Sequence, residues 1–130
     1  MIVDTSAVIA ILKDEPEAQG MSDALEKAAI CRMSAVTYVE TGAVIDGNQN
    51  PVFSRRFDDF IRKARILVET VTLRQAEIAR QAYRDFGKGR HKAGLNFGDC
   101  FSYALAKEKG EALLFKGKDF NHTDVERSEV

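Results

Sequence analysis

The sequence predicts an α/β domain in which a central parallel sheet is flanked by helices on both faces. Short apolar segments alternate along the chain with longer segments whose apolar residues recur at helical spacing. The short segments are apolar throughout, which is typical of parallel strands that are buried on both faces. The chain has 130 residues, which is the size of one ordinary domain. We therefore expect residues 1–130 to form a single domain.

The apolar segments are predicted to be strands, and the periodic segments are predicted to be helices. The predicted strands are residues 1–4, 29–33, 66–71 and 112–115. The predicted helices are residues 5–13, 16–28, 34–45, 52–65, 73–86 and 97–109. Gly110 is expected to end the last helix, because glycine readily adopts the left-handed conformation that closes helices. The polar tail, residues 116–130, is expected to be ordered only in part.

The composition argues against several classes of protein. No run of about eighteen apolar residues is present, so we expect no membrane span. The first residues contain no basic stretch before an apolar segment, so we expect no secretory signal and a cytoplasmic location. Cys31 and Cys100 lack the spacing of metal ligands and are expected to be buried free thiols. The net charge of -1 does not by itself indicate a nucleic-acid-binding protein.

Basic residues are nevertheless concentrated in two segments. One is the glycine-rich segment 87–96, which we predict to be a flexible loop that contacts phosphate through Lys88, Arg90 and Lys92. Glycine lets backbone amides and cationic side chains approach a phosphate together. The second basic segment, residues 55–65, lies on a predicted helix, and we expect it to be a solvated face.

Four acidic residues are predicted to meet at one edge of the sheet. Asp4 ends the first strand, and ligands bind at the carboxyl ends of the strands in open α/β sheets. Glu40 lies on the third predicted helix, Asp99 opens the last helix, and Asp119 follows the last strand. Each also has a structural alternative, because the first three could cap helices and Asp119 could lie in a turn.

A pocket of this kind is costly unless some of its acids are protonated or a divalent cation binds. Two carboxylates about 4 Å apart repel each other by roughly 4 kcal/mol at an effective dielectric constant near 20. Oxygen-only ligands suit Mg2+ or Mn2+ and not zinc. We expect His91 and His122 to be surface residues. A cation held by several carboxylates indicates phosphodiester chemistry.

Four segments resemble the PIN-domain ribonucleases, and specifically the VapC toxins of bacterial toxin–antitoxin pairs. The segments are MIVDTSA at the start, SAVTYVETGAVI around Glu40, LNFGDCFSYALA around Asp99 and LLFKGKDF near the end. They extend over nearly the whole chain, in the order and at the spacing of that family. The resemblance implies one PIN domain over residues 1–130, with an acidic pocket at the strand tips.

The resemblance also implies roles for the acidic residues. Asp4 and Asp99 would be the principal Mg2+ ligands, Glu40 would complete the site directly or through water, and Asp119 would be the fourth acid. Many PIN sequences carry a further aspartate two residues before the aspartate of the Asp-Phe pair, where this chain has Gly117. The fourth position and the number of metal ions are therefore left open.

Ser6 is expected to support the site by hydrogen-bonding a ligand water or an acid, because metal-activated water needs no nucleophilic side chain. The implied activity is that of an Mg2+-dependent endoribonuclease, with Mn2+ as a substitute ion. The implied partners are the RNA substrate, an antitoxin whose C-terminal segment wraps the toxin, and a second copy of the chain. We therefore expect a homodimer and a toxin–antitoxin hetero-oligomer.

Two other functions are considered. One is a PIN nuclease of RNA processing or DNA flap cleavage outside a toxin system, although such proteins usually carry further domains. The other is a phosphoacceptor signalling domain, which is also a small α/β fold with acids at its strand tips. That design requires an acid pair at the first strand and an aspartate at the end of the third strand. Here the first strand ends in Asp4 alone, and the strand 66–71 ends without an aspartate.

Overall fold

The structure is a computed structural model that describes residues 1–130. Four parallel strands form one sheet in the order β3-β2-β1-β4. The strands are β1 (Ile2–Val3), β2 (Cys31–Ser34), β3 (Ile66–Glu69) and β4 (Leu113–Leu114). The helices are α1 (Thr5–Leu12), α2 (Ala18–Lys27), α3 (Ala35–Asp46), α4 (Pro51–Lys63), α5 (Leu73–Phe86) and α6 (Phe97–Lys109). None of these helices is long and apolar enough to cross a membrane.

Helices cover both faces of the sheet because successive strand residues point to opposite sides. Val3 and Leu114 belong to a hydrophobic cluster that includes residues of α1, α2 and α4. Their neighbours Ile2 and Leu113 belong to a second cluster, which includes residues of α5 and α6. The predicted fold class, a parallel sheet flanked by helices on both faces, is confirmed.

Polar side chains fix where the helices begin. Ser34 caps α3 by accepting a hydrogen bond from the N–H of Val36 at 3.2 Å. Asn50 caps α4, which therefore begins at Pro51 and not one residue later as predicted. Gly110 ends α6 with φ 64°, as predicted. Because Ser34 is the cap of α3, Glu40 lies in the interior of that helix and is not part of a capping box.

The tail is more ordered than the sequence indicated. Residues Asp119–His122 form a 3-10 helix, and the buried ring of Phe120 lies 5.0 Å from that of Phe115. Leu113 of β4 donates a backbone hydrogen bond to Glu126 at 2.8 Å and accepts one from Ser128 at 2.9 Å. The buried edge strand β4 needs partners for its backbone groups, and the tail supplies them. Cys31 and Cys100 are buried free thiols, as predicted.

Candidate active site

Asp4 lies at the carboxyl end of β1 and is almost completely buried, with 3% exposure. It is the N-cap of α1, so its structural alternative is realised as well. Its Oδ2 accepts hydrogen bonds from the N–H of Ser6 at 3.1 Å and from Ser6 Oγ at 2.7 Å. The predicted contact between Ser6 and an acid of the site is therefore present.

The other oxygen of Asp4 is held by a buried hydroxyl group. Ser102 Oγ on α6 donates to Asp4 Oδ1 at 2.7 Å and lies 3.0 Å from Thr37 Oγ1 on α3. Ser102 and Thr37 are both fully buried. These contacts fix the Asp4 carboxylate between β1, α3 and α6. Sequence reasoning missed both residues, and the only available signal was a pair of hydroxyl residues within apolar helical patterns.

Glu40 is half-buried and reaches the same sheet edge from α3. Its Oε1 accepts a hydrogen bond from Thr5 Oγ1 at 2.8 Å. Its carboxylate also lies against the backbone of Gly98 on α6, where an added Cβ atom would be 1.9 Å from Glu40 Oε2. Gly98, the residue directly before Asp99, thus leaves the space that Glu40 occupies. This contact is not evident from the sequence.

A chain of hydroxyl contacts leads from Glu40 to the backbone of α3. Thr5 Oγ1 lies 2.8 Å from both Glu40 Oε1 and Thr41 Oγ1, and Thr41 Oγ1 lies 2.8 Å from the carbonyl oxygen of Thr37. Burial raises the pKa of Glu40 above its ordinary value, the Thr5 hydrogen bond opposes this rise, and the charge of Asp4 adds to it.

Asp99 lies in the first turn of α6 and forms a capping box with Asn96. Its Oδ2 accepts the N–H of Asn96 at 3.0 Å, while Asn96 Oδ1 accepts the N–H of Asp99 at 2.8 Å. Burial raises the pKa of Asp99 to about 7, and the hydrogen bond from Asn96 opposes this rise. The charges of Asp4, Glu40 and Asp119 raise the pKa further. The other three predicted acids, Asp4, Glu40 and Asp119, therefore lie within electrostatic range of Asp99.

Asp119 is the exposed member of this group and is the first residue of the 3-10 helix. Asp124, which lies five residues further along the chain, is instead occupied by other partners: it accepts hydrogen bonds from Tyr103 at 2.5 Å and from Lys107 at 3.0 Å. Gly117 has φ 102°, a backbone conformation that side-chain-bearing residues rarely adopt. An aspartate at position 117 would therefore strain this turn.

The basic segment 87–96 connects α5 to α6 and so leads directly into the site. The N–H of Lys88 donates to the carbonyl oxygen of Leu95, and the N–H of Leu95 donates to the carbonyl oxygen of Phe86, each at 2.9 Å. These two hydrogen bonds join the two ends of the segment. The loop is therefore more closely tied than its glycine content suggested. The guanidinium of Arg90 lies 6.0 Å from the ring centre of Tyr83. The exposed cationic side chains of the segment 87–96 are those of Lys88, Arg90 and Lys92.

The PIN-domain family profile matches residues 1–126 of the chain. The chain belongs to the PIN-domain family. It is 57% identical over 129 residues to ribonuclease VapC28 of Mycobacterium tuberculosis, which covers 98% of this chain and 97% of the relative. It is 48% identical over 125 residues to ribonuclease VapC of Mycolicibacterium smegmatis, covering 96% of this chain and 97% of the relative. The predicted family, and with it the prediction of a nuclease, is confirmed, and the phosphoacceptor alternative is set aside.

Solved structures show the same PIN fold. The crystal structure of VapC20 of Mycobacterium tuberculosis, described as a sarcin-ricin loop cleaving toxin, matches with a TM-score of 0.73 and 20% identity over 95% of each chain. A toxin–antitoxin complex from Klebsiella pneumoniae matches with a TM-score of 0.70 and 18% identity over 95% of this chain and 92% of that one. At these identities the similarity establishes the architecture, including the sheet edge where the acids lie.

The site of this PIN domain carries negative charge that no base offsets. None of the ion pairs in the structure includes Asp4, Glu40 or Asp99. A divalent cation fits this site by donor chemistry, because the available ligands are carboxylate oxygens in partly buried positions. The ligand set is not preassembled, however, since no three acidic, histidine or cysteine side chains are grouped closely enough to hold an ion. Each carboxylate is instead turned toward a hydrogen-bond donor of its own.

Proposed function

We propose that this PIN domain is an Mg2+-dependent endoribonuclease that acts as the toxin of a toxin–antitoxin pair. The observation that carries the proposal is the meeting of Asp4, Glu40 and Asp99 at one sheet edge without a compensating base. Burial and the neighbouring carboxylates raise the pKa of Asp99 to about 7, which means that the site holds this charge poorly unless a cation offsets it. The names of the relatives, VapC ribonucleases, support RNA as the substrate.

Asp4 and Asp99 would bind the Mg2+ ion, with Glu40 as a ligand directly or through water, and Mn2+ could replace Mg2+. The bound ion supplies Lewis-acid stabilisation of the negative charge that develops on the phosphate oxygens. Ser6 and Ser102 hold both oxygens of Asp4, so this carboxylate keeps a fixed orientation.

The remaining chemistry is the orientation of the attacking water. Asp119 is the fourth acid and is exposed, so it is accessible to water that approaches the phosphate. Its charge raises the pKa of Asp99, which supports a place for it near the other acids. The side chains of Lys88, Arg90 and Lys92 are proposed to bind RNA phosphates that flank the scissile bond.

An antitoxin is the proposed protein partner, supported by the similarity to the chain in the Klebsiella pneumoniae toxin–antitoxin complex. A homodimer and a toxin–antitoxin hetero-oligomer are the proposed assemblies, and the cytoplasm is the proposed location.

Expression of this chain alone should arrest growth, and co-expression of its genomic neighbour should relieve the arrest. Growth that continues normally while purified protein cleaves RNA would favour a PIN nuclease outside a toxin system.

Asp4→Asn and Asp99→Asn are expected to abolish Mg2+-dependent RNA cleavage, because each replaces a ligand carboxylate with a neutral amide. Both variants should still fold, since the amide oxygen can accept the cap hydrogen bond that each aspartate accepts now. The measurement is cleavage of an RNA oligonucleotide with and without Mg2+, together with circular dichroism of each variant. Full activity in both variants would contradict the assignment.

A further inference from the structure

We propose that Lys116 is a substrate-binding residue, which binds an RNA phosphate beside the acidic site. When no RNA is bound, its ammonium forms ion pairs with Glu15 and Glu17. The inference rests on the proposed function, because it names a contact that this site makes with its RNA. The acids that would bind the metal repel a polyanion, so a cation next to them would help the substrate to approach. The backbone of Lys116 lies beside this site.

The backbone of Lys116 is fixed to the site through one hydroxyl group. The N–H of Lys116 donates to Ser6 Oγ at 3.0 Å. The same Oγ donates to Asp4 Oδ2 at 2.7 Å. Lys116 directly follows Phe115, the buried residue after β4. Strand β4 in turn pairs with β1, which leads into Asp4. The position of the Lys116 backbone relative to Asp4 is therefore set by two short contacts and by the sheet.

The side chain of Lys116 is held by acids that do not belong to the site. Its Nζ lies 3.2 Å from Glu15 Oε2 and 3.3 Å from Glu17 Oε2, both in the connection between α1 and α2. The exposed fractions of these side chains are 34% for Lys116, 31% for Glu15 and 43% for Glu17. Ion pairs with this exposure are weak, because water already solvates both partners. A phosphate can therefore replace the two carboxylates at little cost.

A lysine is suited to this exchange. Its ammonium is a compact charge with three donors on a flexible stem, so it can leave the glutamates and reach a phosphate oxygen without backbone movement. Binding to RNA also releases counterions, which favours the phosphate over the carboxylates at low salt. Lys116 belongs to a different segment from the basic loop 87–96, so it would add a separate phosphate contact.

The test measures binding of a single-stranded RNA oligonucleotide to the Asp99→Asn protein over a series of salt concentrations. Adding Lys116→Gln is expected to weaken binding about fivefold and to lower the slope of log K against log salt by roughly 0.7, the value for one phosphate contact. Lys109→Gln is the matched control. It removes the same charge at the far end of α6, about 18 Å along the helix from its start, and should leave the slope unchanged.

Two further variants separate phosphate binding from a purely structural role. Lys116→Arg keeps the charge and should retain most of the RNA affinity. The double variant Glu15→Gln and Glu17→Gln frees the ammonium and should tighten binding when Lys116 is present. The same double substitution should bring a smaller gain in the Lys116→Gln protein, because only the general loss of negative charge then remains.

The inference is overturned if Lys116→Gln binds RNA with the affinity and salt slope of its Asp99→Asn parent. A lower melting temperature as its only effect would show that Lys116 only holds the α1–α2 connection to the end of β4. Failure of the proposed function has a different signature, in which the Asp99→Asn parent itself shows no salt-dependent binding of RNA. The wild-type protein would then also fail to cleave RNA in the presence of Mg2+.

Discussion

Gly98 shows how a single residue can set the geometry of the site. A side chain at this position would meet both carboxylate oxygens of Glu40, with an added Cβ atom 1.9 Å from Oε2 and 2.7 Å from Oε1. The end of a glutamate side chain can move away, so substitution is expected to displace Glu40 without unfolding the protein. Glycine therefore serves here to let an acid lie against a helix backbone.

Gly98→Ala is expected to lower RNA cleavage at least tenfold, because it moves Glu40 away from the pocket that it shares with Asp4. Its melting temperature should change little, since alanine favours a helix by up to about 1 kcal/mol and offsets part of the displacement. Gly42→Ala on α3 is the control, where an added Cβ atom would make ordinary contacts at 3.8 Å. Equal activity of both variants with wild type would show that the position of Glu40 is not required.

The raised pKa of Asp99 makes the stability of the metal-free protein depend on pH. Its ordinary value is 3.8, and its value in the folded protein is about 7. Between these values the unfolded chain releases a proton that the folded protein keeps, so stability falls as pH rises from about 4 to about 7. Above pH 7 this contribution is constant. A bound cation favours the ionised form and should restore the lost stability.

The expected result is a melting temperature that decreases from pH 5 to pH 8 in EDTA and decreases less in Mg2+. Asp99→Asn should remove most of this dependence, because the variant has no titrating group at position 99. Thermal unfolding of both proteins at several pH values, with and without Mg2+, is the measurement. An unchanged pH profile in the variant would mean that other groups are responsible.

The helices are the elements that the sequence predicts best. The predicted bounds of α5 and α6, 73–86 and 97–109, match the structure, because a polar cap and a following glycine mark each helix. The strands are shorter than predicted, with β1 and β4 reduced to two residues each. Strand length depends on how many residues find a parallel partner, and this is not determined within the segment itself.

The acids could be predicted and the groups that orient them could not. Asp4 and Asp99 stand out because they follow a strand and open a helix, which are local features of the sequence. The contact between Asp4 and Ser102 joins residues 98 positions apart, and nothing in the sequence around Ser102 indicates it. The same holds for Lys116, whose partners lie in the connection between α1 and α2. Such contacts follow only from the packing of elements that are distant in the sequence.

The charge of the whole molecule is distributed unevenly although its sum is only -1. Uncompensated acids lie at the carboxyl edge of the sheet, and the exposed cations of the loop 87–96 lie just before α6, which carries Asp99. Local charge and not the total therefore decides whether RNA can approach, since screening limits interactions to about 10 Å in ordinary buffers. The loop should supply much of the salt-dependent affinity for RNA.

Replacing Arg90 and Lys92 with glutamine in the Asp99→Asn protein should weaken RNA binding and lower the slope of log K against log salt by roughly 1.4, the value for two phosphate contacts. Arg55→Gln with Lys63→Gln removes the same two kinds of charge from exposed positions on α4. That helix packs on the opposite face of the sheet from α5 and α6, so this control should bind RNA nearly as its parent does. Equal losses in the two double variants would mean that only the net charge matters. A loss confined to the loop variant would place phosphate contacts next to the acids, because the loop ends where α6 begins.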